Sequence, residues 1–285
     1  MGAVAIVGAG QIGTLIGLTL VEGDPPGLTG VGLLDDREGR ALAAVRRGAG
    51  NEVIADSRQV LEADTVVLAI PVGEIVGWLH TWGPLLRPQS FLMDTGSSKS
   101  VVASAICESV PTAVHAIGGH PICGNQRSGP EAAEAGSLSG SSFAITPVRA
   151  DPTAELWGVE LVEALRAVPI VVDPATHDRV LARTSHLLHL VSSALVELVL
   201  DQGIAPDLCR QLVGPAFRGM TRLAASDSEM VSSFLASNSA QTIAAANEFN
   251  IHLHHLAALT SEPEQLVPLL SDLAKRRAEL VGQPR

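Results

Sequence analysis

Lysine is almost missing from this chain of 285 residues: Lys99 and Lys275 are the only two, while arginine is plentiful. Enzyme mechanisms that need a catalytic lysine on a helix therefore have few candidates. Cysteine is scarce too, and Cys107, Cys123 and Cys209 are odd in number and lack CxxC spacing. That pattern argues against a disulfide scaffold and for a reducing, cytoplasmic setting. No apolar run is long enough to cross a bilayer, since even the 190 to 200 segment contains Ser192, Ser193 and Glu197. The apolar start has no basic leader or cleavage site, so no targeting segment and no membrane partner are expected. Internal repeats and low-complexity tracts are absent.

What is present describes a globular chain. Hydrophobic residues make up 46% and charged residues 17%, a balance that supports a packed core and excludes intrinsic disorder. The length suits one large or two moderate domains. A formal net charge of −11 argues against non-specific nucleic-acid binding. It also makes recognition of any anionic substrate depend on locally placed arginines.

Up to about residue 173 strand-like and helix-like segments alternate. Strands are expected at 3 to 7, 31 to 35, 65 to 70, 90 to 94, 114 to 117, 142 to 147 and 169 to 172, in a mostly parallel sheet covered by helices. The first strand runs into Gly8, Gly10 and Gly13, which complete GxGxxG directly before an apolar-periodic segment. That context is the dinucleotide-binding fingerprint, with Gly8, Gly10, Gln11, Ile12 and Gly13 around a pyrophosphate on the helix N-terminus. The second strand ends in Asp35, an acid suited to ribose hydroxyls and repulsive to a 2′-phosphate, which favours NAD over NADP. Arg37 and Arg40 follow closely and keep NADP open by their ability to pair with such a phosphate. The buried strand at 65 to 70 leads into Pro71, at the carboxyl end where cofactors lie.

After residue 173 the texture turns helical. Asp173 and Pro174 read as N-cap and first helical residue, and the helix expected from 174 to about 201 is apolar on more than one face. Such a helix needs several partners, so a homodimer built on this part is expected. The fold class is thus α/β: an N-terminal Rossmann-type doubly wound parallel sheet over 1–173, followed by an all-α dimerisation and substrate domain over 174–285.

Polar residues interrupt this apolar helix. By helical spacing Asp178, Ala182, Ser185 and His189 share a stripe, with His186 beside it. Burying them without partners would be costly, so a polar cleft is expected there. His120, in Gly118 to Gly124, shares the chain with the dinucleotide fingerprint and the Ser185, His186 and His189 helix, a combination that suggests a redox enzyme, and Ser97, in the turn that follows Asp94, is a candidate partner for a substrate hydroxyl. Arg218 and Arg222 are four apart and share a face if their segment is helical, and a guanidinium fork suits a carboxylate. His252, His254 and His255 lack HExxH or a neighbouring cysteine pair, so no metal is expected. Cys123 is read as a space-filling residue.

Taken together, GAGQIG at 8 to 13, DTGSSK at 94 to 99, GHPICG at 119 to 124, HD at 177 and 178, SHLLH at 185 to 189 and FRGMTRLAASD at 217 to 227 resemble the prephenate and arogenate dehydrogenase family of tyrosine biosynthesis. The resemblance spans nearly the whole chain. It implies oxidative decarboxylation of a cyclohexadienyl carboxylate with hydride transfer to NAD. By motif, His120 accepts the proton of the ring 4-hydroxyl and Ser97 holds that hydroxyl. Arg222 binds a substrate carboxylate, and His189 and Ser185 line the pocket.

Three departures bear on side-chain selectivity: Gln126 where many relatives carry an acid, Val231 where many carry tryptophan, and SHLLH in place of SHLPH. Gln126 is therefore a candidate for discriminating a pyruvyl from an amino-acid side chain. A 4-amino-4-deoxyprephenate dehydrogenase of antibiotic pathways and a non-catalytic NAD-binding dimer stay open. A β-hydroxyacid dehydrogenase is disfavoured, because the long helix lacks lysine. With no regulatory or mutase domain in view, no domain-borne feedback by tyrosine is expected.

Overall fold

The apolar run at the start of the chain becomes β1 (Gly2–Val7), the glycine turn follows, and α1 (Gln11–Gly23) leads back to β2 (Leu28–Leu34). The structure, a computed structural model, describes residues 1–123, 127–201 and 206–281. Further along lie α2 (Arg40–Arg46), the short β3 (Glu52–Val53), α3 (Ser57–Val60), β4 (Thr65–Leu68), α4 (Val72–Trp82), β5 (Phe91–Asp94) and α5 (Ser100–Ser109). Then come β6 (His115–Pro121), β7 (Ser142–Pro147), α6 (Pro152–Ala164) and β8 (Val168–Val171).

These strands form one sheet in the order β3-β2-β1-β4-β5-β6-β7-β8. All neighbours are parallel except β6 and β7. A parallel pair requires a crossover. Among the described residues the link from β6 to β7 has only a 3₁₀ turn at Pro130–Ala132, so β7 returns antiparallel, and α6 then supplies the crossover to β8. Strand order reverses between β1 and β4, and ligands of doubly wound sheets bind outside the carboxyl ends at such a switch point.

Side chains alternate across the sheet as period two demands. Val4, Ile6, Val67, Met93 and Ile117 enter the core that packs Leu15, Ile16 and Trp157. Ala5, Val7, Val66, Leu92 and Ala116 enter the core that packs Ile75, Leu79 and Ile106. Both faces are dry, which is why these strands read as nearly unbroken apolar runs.

Several boundaries move. β2 ends at Leu34, leaving Asp35 just past it, and β4 ends at Leu68, so that Ile70 and Pro71 belong to the turn before α4. β6 runs on to Pro121 and carries His120 within the strand. β3, two residues long, has no periodicity to announce it.

The helical part opens with α7 (Pro174–Leu181), where the Asp173 carboxylate accepts the Thr176 N–H at 2.9 Å and Pro174 takes the first helical position. The single helix expected from 174 to 201 is broken by a π-turn at Ala182–His186 before α8 (Leu187–Asp201). On a regular α-helix Asp178 and His186, eight residues apart, would diverge by about 80°. The extra residue of a π-turn removes roughly one step and brings them to one face. Burial changes accordingly: His186 is buried with Asp178 and Ala182, while Ser185 is only half-buried.

Beyond α9 (Pro206–Leu212), α10 (Pro215–Met220) stops before Arg222, which starts a 3₁₀ turn, Arg222–Ala225. Arg218 and Arg222 therefore do not share one helical face. α11 (Ser228–Ser237) is capped by Asp227, which accepts from the Met230 N–H. The chain divides into two compact units, Met1–Ser239 and a second beginning at Ala240. The second contains nearly all of α12 (Ser239–Ala258) and the whole of α13 (Pro263–Val281). Every residue of α13 is at least partly exposed, including Val267, Leu270 and Leu273.

Candidate active site

The glycine turn is built for close backbone approach. Gly8 has φ +103°, and a Cβ there would lie 2.3 Å from the Ala69 carbonyl oxygen, so only glycine fits. A Cβ on Gly13 would meet the Gly8 carbonyl oxygen at 1.8 Å, whereas one on Gly10 would meet nothing within 4 Å. The N-terminus of α1 has no side-chain cap and no acid in its first turn, leaving its positive end open for an anion.

Asp35 closes this end. Its Oδ2 accepts the Ala9 N–H at 2.7 Å and its Oδ1 the Arg37 N–H at 3.0 Å, tying the end of β2 to the glycine turn with lone pairs to spare for diol hydroxyls. The Arg37 guanidinium pairs with Glu229 of α11 at 3.3 Å. Gly8, Gly10, Gln11, Ile12, Asp35 and Pro71 all border one cavity of about 540 Å³. Gln11 also donates to the Ala132 carbonyl at 3.0 Å. Open backbone at Gly10, an uncapped helix end and an acid at the second strand fit a dinucleotide with free ribose hydroxyls.

The same cavity reaches Ser97, His120, Ser185, His186, His189, Arg222 and Phe234. Ser97 sits in the turn after β5, which is held by a buried ion pair. The Lys99 ammonium, 1% exposed, donates to Asp94 and, at 2.6 Å, to the Gly119 carbonyl. Burial pulls the Lys99 pKa down, against the attraction of Asp94.

His120 Nδ1 lies 2.9 Å from His177 Nε2, and His177 Nδ1 lies 2.9 Å from Asp178 Oδ1. Asp178 also accepts the backbone N–H groups of Lys99 and Ser100, at 2.7 and 2.8 Å, and so caps the N-terminus of α5 from another helix. Burial disfavours its charge, but hydrogen bonds from His177, Ser100 and Lys99 prevail and bring its pKa to about 2. His120 is held well below the usual histidine range by burial first and then by neighbouring His177 and Lys99. It is therefore a neutral ring at neutral pH.

On the opposite wall, His186 stacks on Phe234 and its Nδ1 accepts from Asn238 Nδ2 at 3.1 Å. The same amide donates to the Asp178 backbone carbonyl at 2.9 Å. Burial brings the His186 pKa to about 4 and also lowers that of His189, which packs edge-on against Phe234. Arg222 is exposed to the cavity and has no ion-pair partner among the described residues.

Of the residues expected from sequence, Gln126 lies outside those described. Gly13 serves packing behind the turn. Arg218 donates to the Val213 carbonyl and does not border the cavity. Cys123 borders it, but burial pushes its thiol up to about 11, so it is no thiolate nucleophile. His252, His254 and His255 are all exposed on α12. Sequence patterning puts Asp178 on the polar stripe and marks His177 and Asp178 as a motif without tying them to His120, and it gives no role to Phe234 or Asn238. The one local signal was the adjacent His and Asp one turn inside a helix.

The chain matches the family model for the prephenate dehydrogenase nucleotide-binding domain over residues 28–171 and that for the prephenate dehydrogenase dimerization domain over residues 173–272. It belongs to the prephenate dehydrogenase family. A prephenate dehydrogenase of Lactococcus lactis subsp. cremoris is 31% identical over 261 residues, 90% of this chain and 71% of the relative. A cyclohexadienyl dehydrogenase of Zymomonas mobilis is 26% identical over 97% of this chain and 95% of its own. The crystal structure of prephenate dehydrogenase from A. aeolicus, in complex with hydroxyphenyl propionate and NAD+, superposes with TM-score 0.89 at 26% identity, covering 98% of each chain.

Proposed function

We propose that this protein catalyses the NAD-linked oxidative decarboxylation of prephenate or arogenate. The observation that carries the proposal is one cavity bordered by the open glycine turn, Ser97, neutral His120 and Arg222, which has no ion-pair partner among the described residues. Membership of the family supports the same reaction.

NAD, held by Gly8, Gly10, Gln11, Ile12, Asp35 and Pro71, supplies the hydride acceptor when bound. Arg222 pairs with a substrate carboxylate, and Ser185 and His189 line the ring pocket. Ser97 holds the 4-hydroxyl, and the His120 nitrogen not engaged by His177 takes its proton as the C4–H bond breaks. The hydroxyl carbon becomes a carbonyl, the bond from C1 to the carboxylate breaks, and the freed electron pair makes the ring aromatic as carbon dioxide leaves. His120 then returns the proton to the phenolic oxygen, so the base is regenerated. A neutral imidazole suits both transfers, and the cavity supplies orientation.

Asp35, Asp36, Glu74 and Glu229 border the cofactor end, and Arg37 is engaged by Glu229. This acidic rim supports NAD over NADP by repelling a 2′-phosphate, although Arg40 borders the same cavity.

We place the working division of the chain at residue 173, with the dinucleotide domain before it and the helical domain after it. The exposed apolar side chains of α13 support a homodimer, since a helix of this kind draws its stability from packing. No described helix is long and apolar enough to cross a membrane. Unpaired Cys107, Cys123 and Cys209 support a reducing, cytoplasmic location.

The test is the reduced-nicotinamide absorbance with NAD or NADP and prephenate, arogenate or 4-amino-4-deoxyprephenate in separate reactions. Turnover of prephenate or arogenate with NAD supports the reading, and silence with both acids contradicts it.

A further inference from the structure

His120 can act as a base only through the nitrogen that carries no proton, and a neutral imidazole has two tautomers to choose from. We propose that His177 and Asp178 are a positioning pair that selects one of them, keeping the proton on His120 Nδ1 and leaving Nε2 as the basic nitrogen for substrate. The inference rests on the reading of His120 as the base.

The selection starts at the buried end. The Asp178 carboxylate has only acceptors to offer, and its two oxygens already take the N–H groups of Lys99 and Ser100 at the start of α5. Facing it at 2.9 Å, His177 Nδ1 must donate. When the His177 ring carries one proton, on Nδ1, its Nε2 presents a lone pair, and His120 Nδ1, 2.9 Å away, donates in turn. The opposite tautomer of His120 would set two acceptors against each other somewhere along this line. The side chains of His177 and Asp178 are 1% and 4% exposed, so water cannot mend such a mismatch.

The pair lies at the start of the helical part, on α7, and the base it orients lies on β6. Lys99 braces the same strand from the other side by holding the Gly119 carbonyl. Among the described residues, the charged and titratable groups that bear on His120 are His177 and Asp178 of α7, Lys99 after β5 and His186 of the π-turn. Among them, only His177 is hydrogen-bonded to its ring.

The test uses the full-length protein with ¹⁵N-labelled histidine, the His120 signals being assigned by loss in His120→Asn. In wild type the ring spectrum should show His120 protonated at Nδ1 and unprotonated at Nε2. His177→Gln keeps an acceptor oxygen for His120 and an N–H donor for Asp178, so it should preserve the tautomer and hold kcat within about tenfold. His177→Phe should mix the tautomers and lower kcat by about 100-fold or more, with KM for the ring acid and affinity for NAD within about threefold. A wild-type His120 protonated at Nε2 overturns the proposal, as does a His177→Phe protein with unchanged tautomer and near-normal kcat. If His177→Phe fails to bind NAD and is misfolded, the wild-type and His177→Gln spectra still decide. If wild type turns over neither prephenate nor arogenate while the tautomer is as stated, the functional reading fails and the positioning pair stands.

Discussion

Lys99 and Asp94 form an ion pair that is almost wholly out of water, and the same ammonium holds the carbonyl of Gly119, the residue before His120. One of the chain's two lysines is thus spent inside the nucleotide-binding half, joining the end of β5 to β6. Breaking a buried pair by removing one partner leaves an uncompensated charge, worth roughly 3 to 5 kcal/mol. Lys99→Met should therefore lower unfolding stability in urea by about that amount. Adding Asp94→Asn should recover part of the loss, because the two sites are coupled. A single variant within about 1 kcal/mol of wild type would show that the pair is not sustaining the turn.

Arg222 borders the cavity without a carboxylate partner among the described residues, so its charge is available to a ligand. Arg222→Ala should lower kcat/KM for the ring acid by about 10- to 150-fold, the loss of a charge-assisted hydrogen bond of roughly 1.5 to 3 kcal/mol. Arg222→Lys should recover little if the contact is bidentate. Arg218→Ala, away from the cavity, should change kcat/KM by less than about twofold. Equal effects at both positions would remove Arg222 from the substrate site.

Stability should fall on acidification before the carboxylates titrate. Burial lowers the His120 pKa well below 6.5 and brings that of His186 to about 4. Between the unfolded and folded values the unfolded chain binds more protons, so stability rises with pH across that window and is lost as pH drops from about 6.5 toward 4. His186 alone accounts for on the order of 3 kcal/mol. Asp178, at about 2 in the folded protein, extends the loss below pH 4. The acid limb of kcat/KM should likewise lie below 6.5, since His120 stays a neutral base there. Thermal midpoints across pH 4 to 7 check the first point, and a midpoint independent of pH contradicts it.

α13 exposes Val267, Leu270 and Leu273, and none of its residues is buried. Sedimentation of the wild type should give a dimer, and Leu270→Arg with Leu273→Arg should shift it toward monomer at micromolar concentration. A monomeric wild type would contradict the assignment of this helix to a subunit interface.

Local chemistry was legible in the sequence, and long-range geometry was not. Gly8, Gly10 and Gly13 stand where the fingerprint requires them because their constraint is a turn a few residues long. Asp173 and Pro174 start α7 for the same reason. The π-turn at Ala182–His186 follows no local rule, and it transfers burial from Ser185 to His186. Asp178 caps α5 across 79 positions of sequence, a contact that no periodicity reports. Arg222 is singled out by the family motif and by its segment, with a face shared with Arg218 only if that segment is helical. The structure ends that helix at Met220 and separates the two guanidinium groups.

The most direct test of the account is turnover of His120→Asn with NAD and the better of the two ring acids, with NAD affinity measured by calorimetry on the same preparation. The account predicts unchanged NAD binding with kcat lower by about 100-fold or more. Turnover within a few-fold of wild type, with the variant folded and NAD bound, would contradict it by showing that the proton leaves the ring hydroxyl without His120.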